Sequence, residues 1–241
     1  MKNCIKYMLQ RLFGYHLYLY LFARYMVNRL PHDRHERDFM HLLTYVNERD
    51  AVIDVGANIG VMTYYLARKA NSGRVFAIEP IPSNRRIVER LMRRFRLRNV
   101  ELMAFSVGET TGSSRMIIPR KQGVHFHGLA HVVKKGESVA GEMVDVPMKR
   151  LDDVSELEGY KITAIKLDVE ESEYAALIGA KELLVTQKPV VYCELWNTKN
   201  RRLAFDFMQS VGYAAWVYNG IQLEAAEITT PKQNFFFLPK T

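Results

Sequence analysis

One stretch of ten residues constrains the fold of this chain more than any other. Residues 51–60 read Ala-Val-Ile-Asp-Val-Gly-Ala-Asn-Ile-Gly, a short β-branched run that ends in an acid and passes through two glycines. The next residues, 61–67, have the apolar spacing of a helix. A strand that turns into a helix on glycines leaves free backbone N–H groups where a ligand can lie close. The stretch therefore predicts an α/β domain with a ligand site at this loop.

The spacing of the glycines separates two classes of ligand. Dinucleotide sites use G-x-G-x-x-G, which seats a pyrophosphate on the helix N-terminus. Here Gly56 and Gly60 are separated by three residues, and Asp54 precedes them. An acid at the strand tip repels a pyrophosphate and suits a ligand that carries an amino group and a sulfonium. The next apolar strand ends at Glu79, where a carboxylate can hold ribose hydroxyls. The two acids favour a nucleoside site over an incidental glycine turn.

These residues resemble the S-adenosylmethionine (SAM) site of the FkbM-type methyltransferases. The resemblance rests on residues 54–60 and 79–80, with further matches in the family's order at 99–101, 151–153, 166–170, 193–195 and 234–237. It covers about residues 50–239. It implies a Rossmann-like class I methyltransferase fold with a seven-stranded, mostly parallel α/β sheet and a late antiparallel hairpin. It also implies SAM as cofactor and S-adenosylhomocysteine (SAH) as product. One position departs from the family, because Glu171 stands where glycine is usual.

The resemblance also assigns the cofactor contacts. They are Asp54, Gly56, Ala57, Asn58, Gly60, Glu79, Ser106, Val107 and Asp168. Ser106 and Val107 end the third strand, where the adenine ring is expected to lie. Asp168 is at the tip of the fourth strand, which faces the transferred methyl group in this fold.

Transfer of a methyl group to an alcohol needs an aligned nucleophile and a group that removes its proton. The candidate catalytic residues are Asp168, Glu170 and His127. Further acids at positions 171, 173 and 194 crowd the same edge, and such crowding can raise a pKa. The same acids are equally explained as charges at a helix start, where acids are favoured. The sequence leaves open whether the base is one of these acids or a histidine of the inserted loop.

No metal site is predicted. His125, His127 and His131 form an H-x-H pattern with a third histidine, but this pattern alone is a weak indication of a metal. Substrate-binding or exposed histidines are the favoured interpretation.

The length and apolar content fit one sizeable core, at 241 residues and 48%. We expect an N-terminal helical extension over residues 1–48 and a methyltransferase domain over 49–241, with a substrate-side insertion at about 112–150. Only two cysteines occur, Cys4 and Cys193, which favours a reducing compartment. The predicted location is cytoplasmic, with peripheral binding to the inner membrane face as an extension of that hypothesis.

Two segments rich in basic residues, 1–30 and 83–98, are candidates for binding a partner. Residues 1–30 have an apolar helical stripe with tyrosines and basic residues, typical of a helix that lies on an anionic membrane. Packing on the domain, or on a second subunit in a homodimer, is the commoner fate of such a helix. Residues 83–98 predict a helix, capped by Ser83, with seven arginines. A solvated face is the favoured interpretation, with anionic lipid or glycan second. No nucleic-acid motif supports the net charge of +8 as an RNA-binding signal.

The predicted function is SAM-dependent O-methylation of a hydroxyl on a sugar or glycan, with a lipid-linked glycan as one option. Three alternatives stay open. They are a small-molecule, polyketide-like O-methyltransferase, a nucleic-acid methyltransferase, and a SAM-binding subunit without catalysis.

Overall fold

The computed structural model describes residues 10, 12, 14–121, 124–125, 130–133 and 140–240. The helices are α1 Tyr15–Arg29, α2 Arg37–Leu42, α3 Val61–Lys69, α4 Pro82–Phe95, α5 Glu173–Ile178, α6 Lys181–Gln187 and α7 Lys199–Ser210. The strands are β1 Ala51–Val55, β2 Arg74–Ile78, β3 Val100–Met103, β4 Ser106–Val107, β5 Gly112–Lys121, β6 Val124–His125, β7 His131–Val132, β8 Gly141–Lys149, β9 Ile162–Leu167, β10 Val190–Glu194, β11 Tyr213–Tyr218, β12 Leu223–Ala225 and β13 Asn234–Pro239. Short 3₁₀ turns cover Leu30–His32, Arg34–Glu36, Leu43–Tyr45, Leu151–Asp153 and Ser155–Leu157.

A sheet of eight strands forms the centre of the protein, in the order β12-β11-β13-β10-β9-β1-β2-β3. The strands from β10 to β3 pair in parallel, and β13, β11 and β12 add antiparallel pairs at one edge. Every residue of β1 is buried, as expected for a parallel strand covered on both faces. The predicted class I α/β fold is confirmed. The sheet has one strand more than predicted, because the return strand of the hairpin at Asn219 and Gly220 joins it.

Several predicted elements are shorter or divided. The third strand, predicted over residues 100–107, is split into β3 and β4, and β4 belongs to a second sheet. The helix predicted from residue 172 to 185 is divided into α5 and α6 around Gly179. A Cβ at Gly179 would lie 2.0 Å from the carbonyl oxygen of Gly108, so the chain passes too close there for any side chain.

Two predictions about helix starts were also wrong in detail. The second amphipathic helix, predicted over residues 32–48, is reduced to α2 between two 3₁₀ turns. Helix α4 begins at Pro82 with Ile81 as N-cap, and no side chain caps it, so Ser83 is not the cap. Proline at the first helical position needs no partner for a missing N–H, which explains why the N-cap is two residues earlier than predicted.

The second sheet lies between β3 and β9 along the chain. It has the order β4-β8-β5-β6, and β7 pairs with β5. Strands β5 and β8 form its long antiparallel pair, which extends the pair predicted at residues 115–119 and 143–149. Met116, Ile118 and Val146 pack against Ile81, at the carboxyl end of β2. The second sheet is thereby held beside the ends of the central parallel strands.

Helix α1 packs along the outside of the domain. Its buried residues Leu19, Ala23 and Val27 form one apolar cluster with Ile59 of the β1–α3 loop and with α4 residues. The Arg90 guanidinium of α4 lies 4.0 Å from the ring centroid of Tyr20, a cation–π contact. Within the part of the chain that is described, no helix has the length and apolar character needed to cross a bilayer.

Candidate functional site

The loop between β1 and α3 has a backbone that only some residues can adopt. Gly56 and Gly60 have φ values of 79° and 82°, and Asn58 has a φ of 52°. The N–H groups of Gly56 and Ala57 both donate to the carbonyl oxygen of Ile78, at 3.0 Å each, which anchors the loop to the end of β2. A Cβ at Gly56 would lie 1.9 Å from the carbonyl oxygen of Asp168. Glycine is therefore required there by both the φ angle and the close approach of the two strand ends.

A buried ion pair between Asp54 and Lys166 lies behind this loop. The Asp54 carboxylate is fully buried, accepts a 2.6 Å hydrogen bond from the Thr63 hydroxyl, and lies 3.3 Å from the Lys166 ammonium. Lys166 Nζ also donates to the carbonyl oxygen of Gly56 at 2.8 Å and lies 3.6 Å from Asp168 Oδ2. Burial lowers the pKa of Lys166, but Asp54 and Asp168 outweigh it, and the pKa is above its ordinary value. Lys166 thus joins the loop to the tip of β9.

Six of the nine predicted cofactor contacts line a single cleft. They are Gly56, Asn58, Glu79, Ser106, Val107 and Asp168. The other three, Asp54, Ala57 and Gly60, are buried and shape the loop from behind, with Gly60 as the N-cap of α3. The placement of these nine residues as SAM contacts stays a prediction. Seven of them lie at the carboxyl ends of β1, β2 and β9, where α/β sheets bind ligands, and Ser106 and Val107 form β4 at the same cleft.

The polar atoms of the cleft favour a ligand that donates hydrogen bonds. The buried Glu79 carboxylate accepts from the backbone N–H of Asn58 and of Ile81, both at 2.8 Å, and from the Asn84 amide at 3.3 Å. Burial raises the pKa of Glu79 to about 7. The side-chain carbonyl oxygens of Asn58 and Asn84 are buried without a hydrogen-bond partner among the described residues. Ribose hydroxyls would satisfy them, because each carries a donor. The residues present therefore fit a nucleoside.

The second sheet narrows the cleft. Met116, Ala130 and Val132 line it opposite the loop, and the cleft encloses about 60 Å³. Pockets that take drug-sized ligands usually enclose roughly 300–1,000 Å³. A nucleoside therefore needs a wider cleft than this one. The insertion was predicted to make substrate contacts, and three of its residues line the cleft that six predicted cofactor contacts also line.

Asp168 also borders a second pocket of about 240 Å³, which we call the acidic pocket. Glu36, Lys166, Tyr192 and Glu194 are among its other lining residues. Burial, and next the charge of Asp168, raise the pKa of Glu194 to about 7. Burial also raises the pKa of Glu36, which reaches the pocket from the N-terminal extension. The acidic pocket therefore holds one carboxyl group, Glu194, that can exchange a proton near neutral pH.

The turn that follows β9 carries Glu170 and Glu171 with φ values of 51° and 73°. Burial, and then the charges of Asp168 and Glu194, raise the pKa of Glu170 to about 8. The buried Glu173 carboxylate holds the turn by accepting from the N–H of Glu171 at 3.2 Å. Position 171 is where the family usually has glycine, and its φ explains why. A non-glycine residue there carries strain of about 1–2 kcal/mol.

The remaining predicted residue, His127, lies outside the described residues. No group of three or more His, Cys, Asp or Glu side chains is arranged to hold a metal in the part of the chain that the structure covers. Three residues of the site were given no role from the sequence: Glu36, Asn84 and Lys166. Only Lys166 had a visible signal, a charged residue within an apolar strand and two residues before Asp168.

The sequence matches a known family over two thirds of its length. Residues 54–214 match the profile of the Methyltransferase FkbM domain, a span that includes the loop, Glu79 and the acids that follow β9. The chain belongs to the FkbM methyltransferase family. The chain is similar to methyltransferase sdnD from Sordaria araneosa, with 27% identity over 160 residues. The alignment covers 54% of this chain and 60% of that protein, so this FkbM-family chain spans well under the full length of its relative.

Solved structures agree on the fold. Methyltransferase FkbM from Methylobacillus flagellatus superposes with a TM-score of 0.55 and 18% identity, covering 79% of this chain and 44% of that one. A SAM-dependent O-methyltransferase from Thermotoga maritima has a TM-score of 0.50 and 16% identity, covering 85% and 65% of the two chains. At these identities the similarity shows the fold alone.

Proposed function

We propose that this FkbM-family protein is a SAM-dependent O-methyltransferase that methylates a hydroxyl on a sugar or glycan. One observation carries the cofactor assignment. The cleft beside Gly56 has three oxygen acceptors, from Glu79, Asn58 and Asn84, and two of them lack a partner among the described residues. Acceptors in this number suit ribose hydroxyls and an ammonium group, and they repel a pyrophosphate.

The residues of the chain divide the chemistry between the cleft and the acidic pocket. When bound, SAM supplies an electrophilic methyl group. Glu79 and Asn58 would hold its ribose hydroxyls, and Ser106 and Val107 would contact its adenine ring. Asp168 borders both the cleft and the acidic pocket, so its carboxylate is placed to orient the acceptor hydroxyl.

The proton of the acceptor hydroxyl passes to a carboxylate of the same edge. Burial raises the pKa of Glu194 to about 7, close to the value at which a general base works best at neutral pH, and it raises the pKa of Glu170 to about 8, so that Glu170 holds its proton there. Glu194 lines the acidic pocket and Glu170 lines the cleft. Glu170 already carries its proton at neutral pH, so the proton goes to a carboxylate of the acidic pocket. A hydroxyl has one proton, and whichever of Asp168 and Glu194 accepts its hydrogen bond also receives that proton.

A lipid-linked glycan is the form of acceptor that the outer face of α1 supports. Leu17, Leu21 and Tyr25 lie four residues apart and are exposed by 38%, 41% and 55%. Arg24 and Arg29 are exposed on the same helix. An apolar ridge beside basic residues suits the surface of an anionic membrane. We therefore include peripheral membrane binding in the proposal.

Calorimetry with SAH tests the cofactor assignment. Glu79→Ala should weaken SAH binding by about 1.5–3 kcal/mol, the range for a lost hydrogen bond to a charged group. Glu89→Ala is the matched control, because Glu89 is exposed on α4. If Glu79→Ala leaves the dissociation constant unchanged, the ribose lies elsewhere. If the wild-type protein does not bind SAH, the chain has a structural role only.

The acceptor is tested separately. Labelled SAM incubated with native extract should transfer its methyl group to the glycan fraction. Label confined to bulk RNA would contradict the glycan assignment and favour a nucleic-acid methyltransferase.

A further inference from the structure

A larger cavity adjoins the acidic pocket on the side away from the cofactor cleft. This outer cavity encloses about 720 Å³, within the usual size of small-molecule sites. His35, Gln233 and Asn234 line both the outer cavity and the acidic pocket. A molecule in the outer cavity can therefore extend toward Glu194 and Asp168.

The charges around the outer cavity are mostly positive. Arg34, Arg201 and Lys232 line it, and Asp38 is the one carboxylate among the lining residues that the structure describes. Burial raises the pKa of Asp38 above its ordinary value. The acidic pocket has the opposite balance, with Glu36, Asp168 and Glu194 around the single cation Lys166. The two adjoining spaces therefore differ in sign.

Arg201 contributes a third positive charge to the wall and is only 3% exposed. Its guanidinium donates to main-chain carbonyl oxygens, at 2.7 Å to Leu195 and 2.8 Å to Lys232. Weaker bonds go to Ile228 and Thr230. Among the described residues it has no carboxylate within ion-pair distance. With a further bond from its Nε–H to Leu195, all five N–H groups of Arg201 are used by main-chain carbonyls, so Arg201 adds positive charge to the wall while it fixes the loop of residues 228–232.

Two more features of the wall suit an anionic sugar-like ligand. Helix α7 starts at Lys199, after the lining residues Asn197 and Thr198, so the positive end of its dipole lies at the cavity. The Trp196 side chain, also in the lining, is 41% exposed and offers an apolar ring face. Each feature alone would be ordinary, but here both adjoin the three cations.

We propose that the outer cavity binds an anionic group of the methyl acceptor, a phosphate or a carboxylate, while the acceptor's hydroxyl enters the acidic pocket. The inference rests on the proposed O-methyltransferase function and narrows its substrate class to phosphorylated or acidic hydroxy compounds. Arg34 and Lys232 contact the anion, and Arg201 holds the loop of residues 228–232 in place.

Most residues that line the outer cavity lie outside the matched family domain, so family membership does not predict binding of an anionic acceptor. Arg34, His35 and Asp38 precede the matched span of residues 54–214, and the lining residues 229–234 follow it. Only residues 196–201 of the wall lie inside the family domain. The anion site is therefore built mainly by the flanks of this chain.

Trp196 provides a direct readout, because its fluorescence responds to a ligand in the outer cavity. The SAH-saturated full chain is titrated with inorganic pyrophosphate, citrate and neutral sucrose. A saturable change with pyrophosphate or citrate, and none with sucrose, is expected, and Trp196→Phe should abolish it. Arg34→Gln and Lys232→Gln should each weaken anion binding about tenfold or more, as for a lost charged hydrogen bond. Arg202→Gln, an exposed arginine of α7 outside the lining, is the control and should bind normally.

The outcomes separate this inference from the proposed function. A response to pyrophosphate alone assigns a phosphate acceptor, and a response to citrate alone assigns a carboxylate. No response to either anion, or a response that Arg34→Gln and Lys232→Gln leave unchanged, overturns the inference even where SAH binds. Failure of SAH binding, with the anion response intact, instead refutes the methyltransferase proposal and leaves the anion site standing.

Discussion

Replacing Lys166 by methionine should strongly lower the stability of the protein, although methionine fits the same backbone conformation. A methionine side chain has nearly the same length as lysine but carries no charge. Lys166 is 3% exposed, and its ammonium lies 3.3 Å from the carboxylate of the fully buried Asp54. The substitution leaves that carboxylate buried without its cation. Breaking a buried ion pair from one side costs about 3–5 kcal/mol.

The loss is measurable as both stability and binding. For a domain of this size about 2–4 °C of melting temperature corresponds to 1 kcal/mol, so Lys166→Met should melt about 6–20 °C lower. SAH binding should weaken as well, because the 2.8 Å bond to the Gly56 carbonyl oxygen is lost. Lys161→Met is the matched control, since Lys161 is exposed just before the same strand. It should change stability by no more than about 0.5 kcal/mol.

A double-mutant cycle decides whether the ion pair is the cause. Asp54→Asn with Lys166→Met removes both charges, so the double variant should be more stable than the sum of the two single losses predicts, by about 0.5–3 kcal/mol. Urea unfolding of the wild type, the two single variants and the double variant gives the free energies of unfolding that are compared. Additive losses, or a loss below about 1 kcal/mol for Lys166→Met, would refute the reasoning.

Three further predictions test other parts of the structure. Gly56→Ala should abolish SAH binding and lower the melting temperature more than Gly159→Ala does. Gly159 has a similar positive φ, but a Cβ there meets nothing within 4 Å. An equal decrease in melting temperature for the two variants would contradict the close approach at Gly56. Folded Glu170 keeps its proton up to about pH 8, whereas the unfolded chain releases it near pH 4.5, so the stability of the wild type relative to Glu170→Gln should fall as the pH rises between those values. If urea unfolding shows a difference in unfolding free energy between the two proteins that does not change with pH, the raised pKa of Glu170 is wrong. The wild-type chain should sediment with anionic vesicles at low salt, and the double variant with Leu17 and Leu21 replaced by aspartate should not. If the wild type does not sediment with the vesicles, the membrane hypothesis is wrong.

The parts of the protein that the sequence predicted are those set by local pattern. The β-branched run before Gly56, the acid at the end of β2 and the Asn219–Gly220 hairpin each have short-range signatures. The loop glycines and Glu79 could be located from these alone. The fold class followed, because strand–helix units in series leave few topologies.

The parts that were missed depend on contacts between distant segments. Lys166 acquires its role only when β9 pairs with β1 and sets its ammonium beside Asp54. Glu36 reaches the acidic pocket from a segment before the first strand, and no local pattern indicates that path. The break at Gly179 likewise follows from its approach to Gly108 across the fold.

The position of the second sheet has a consequence for the kinetics of turnover. If Met116 and Val132 must shift before a nucleoside can enter or leave, the spent cofactor departs at the rate of that shift. The first methylation by preloaded enzyme would then be a rapid burst, followed by a slower steady phase. Acceptors of very different reactivity would share one kcat, and they would differ only in kcat/KM.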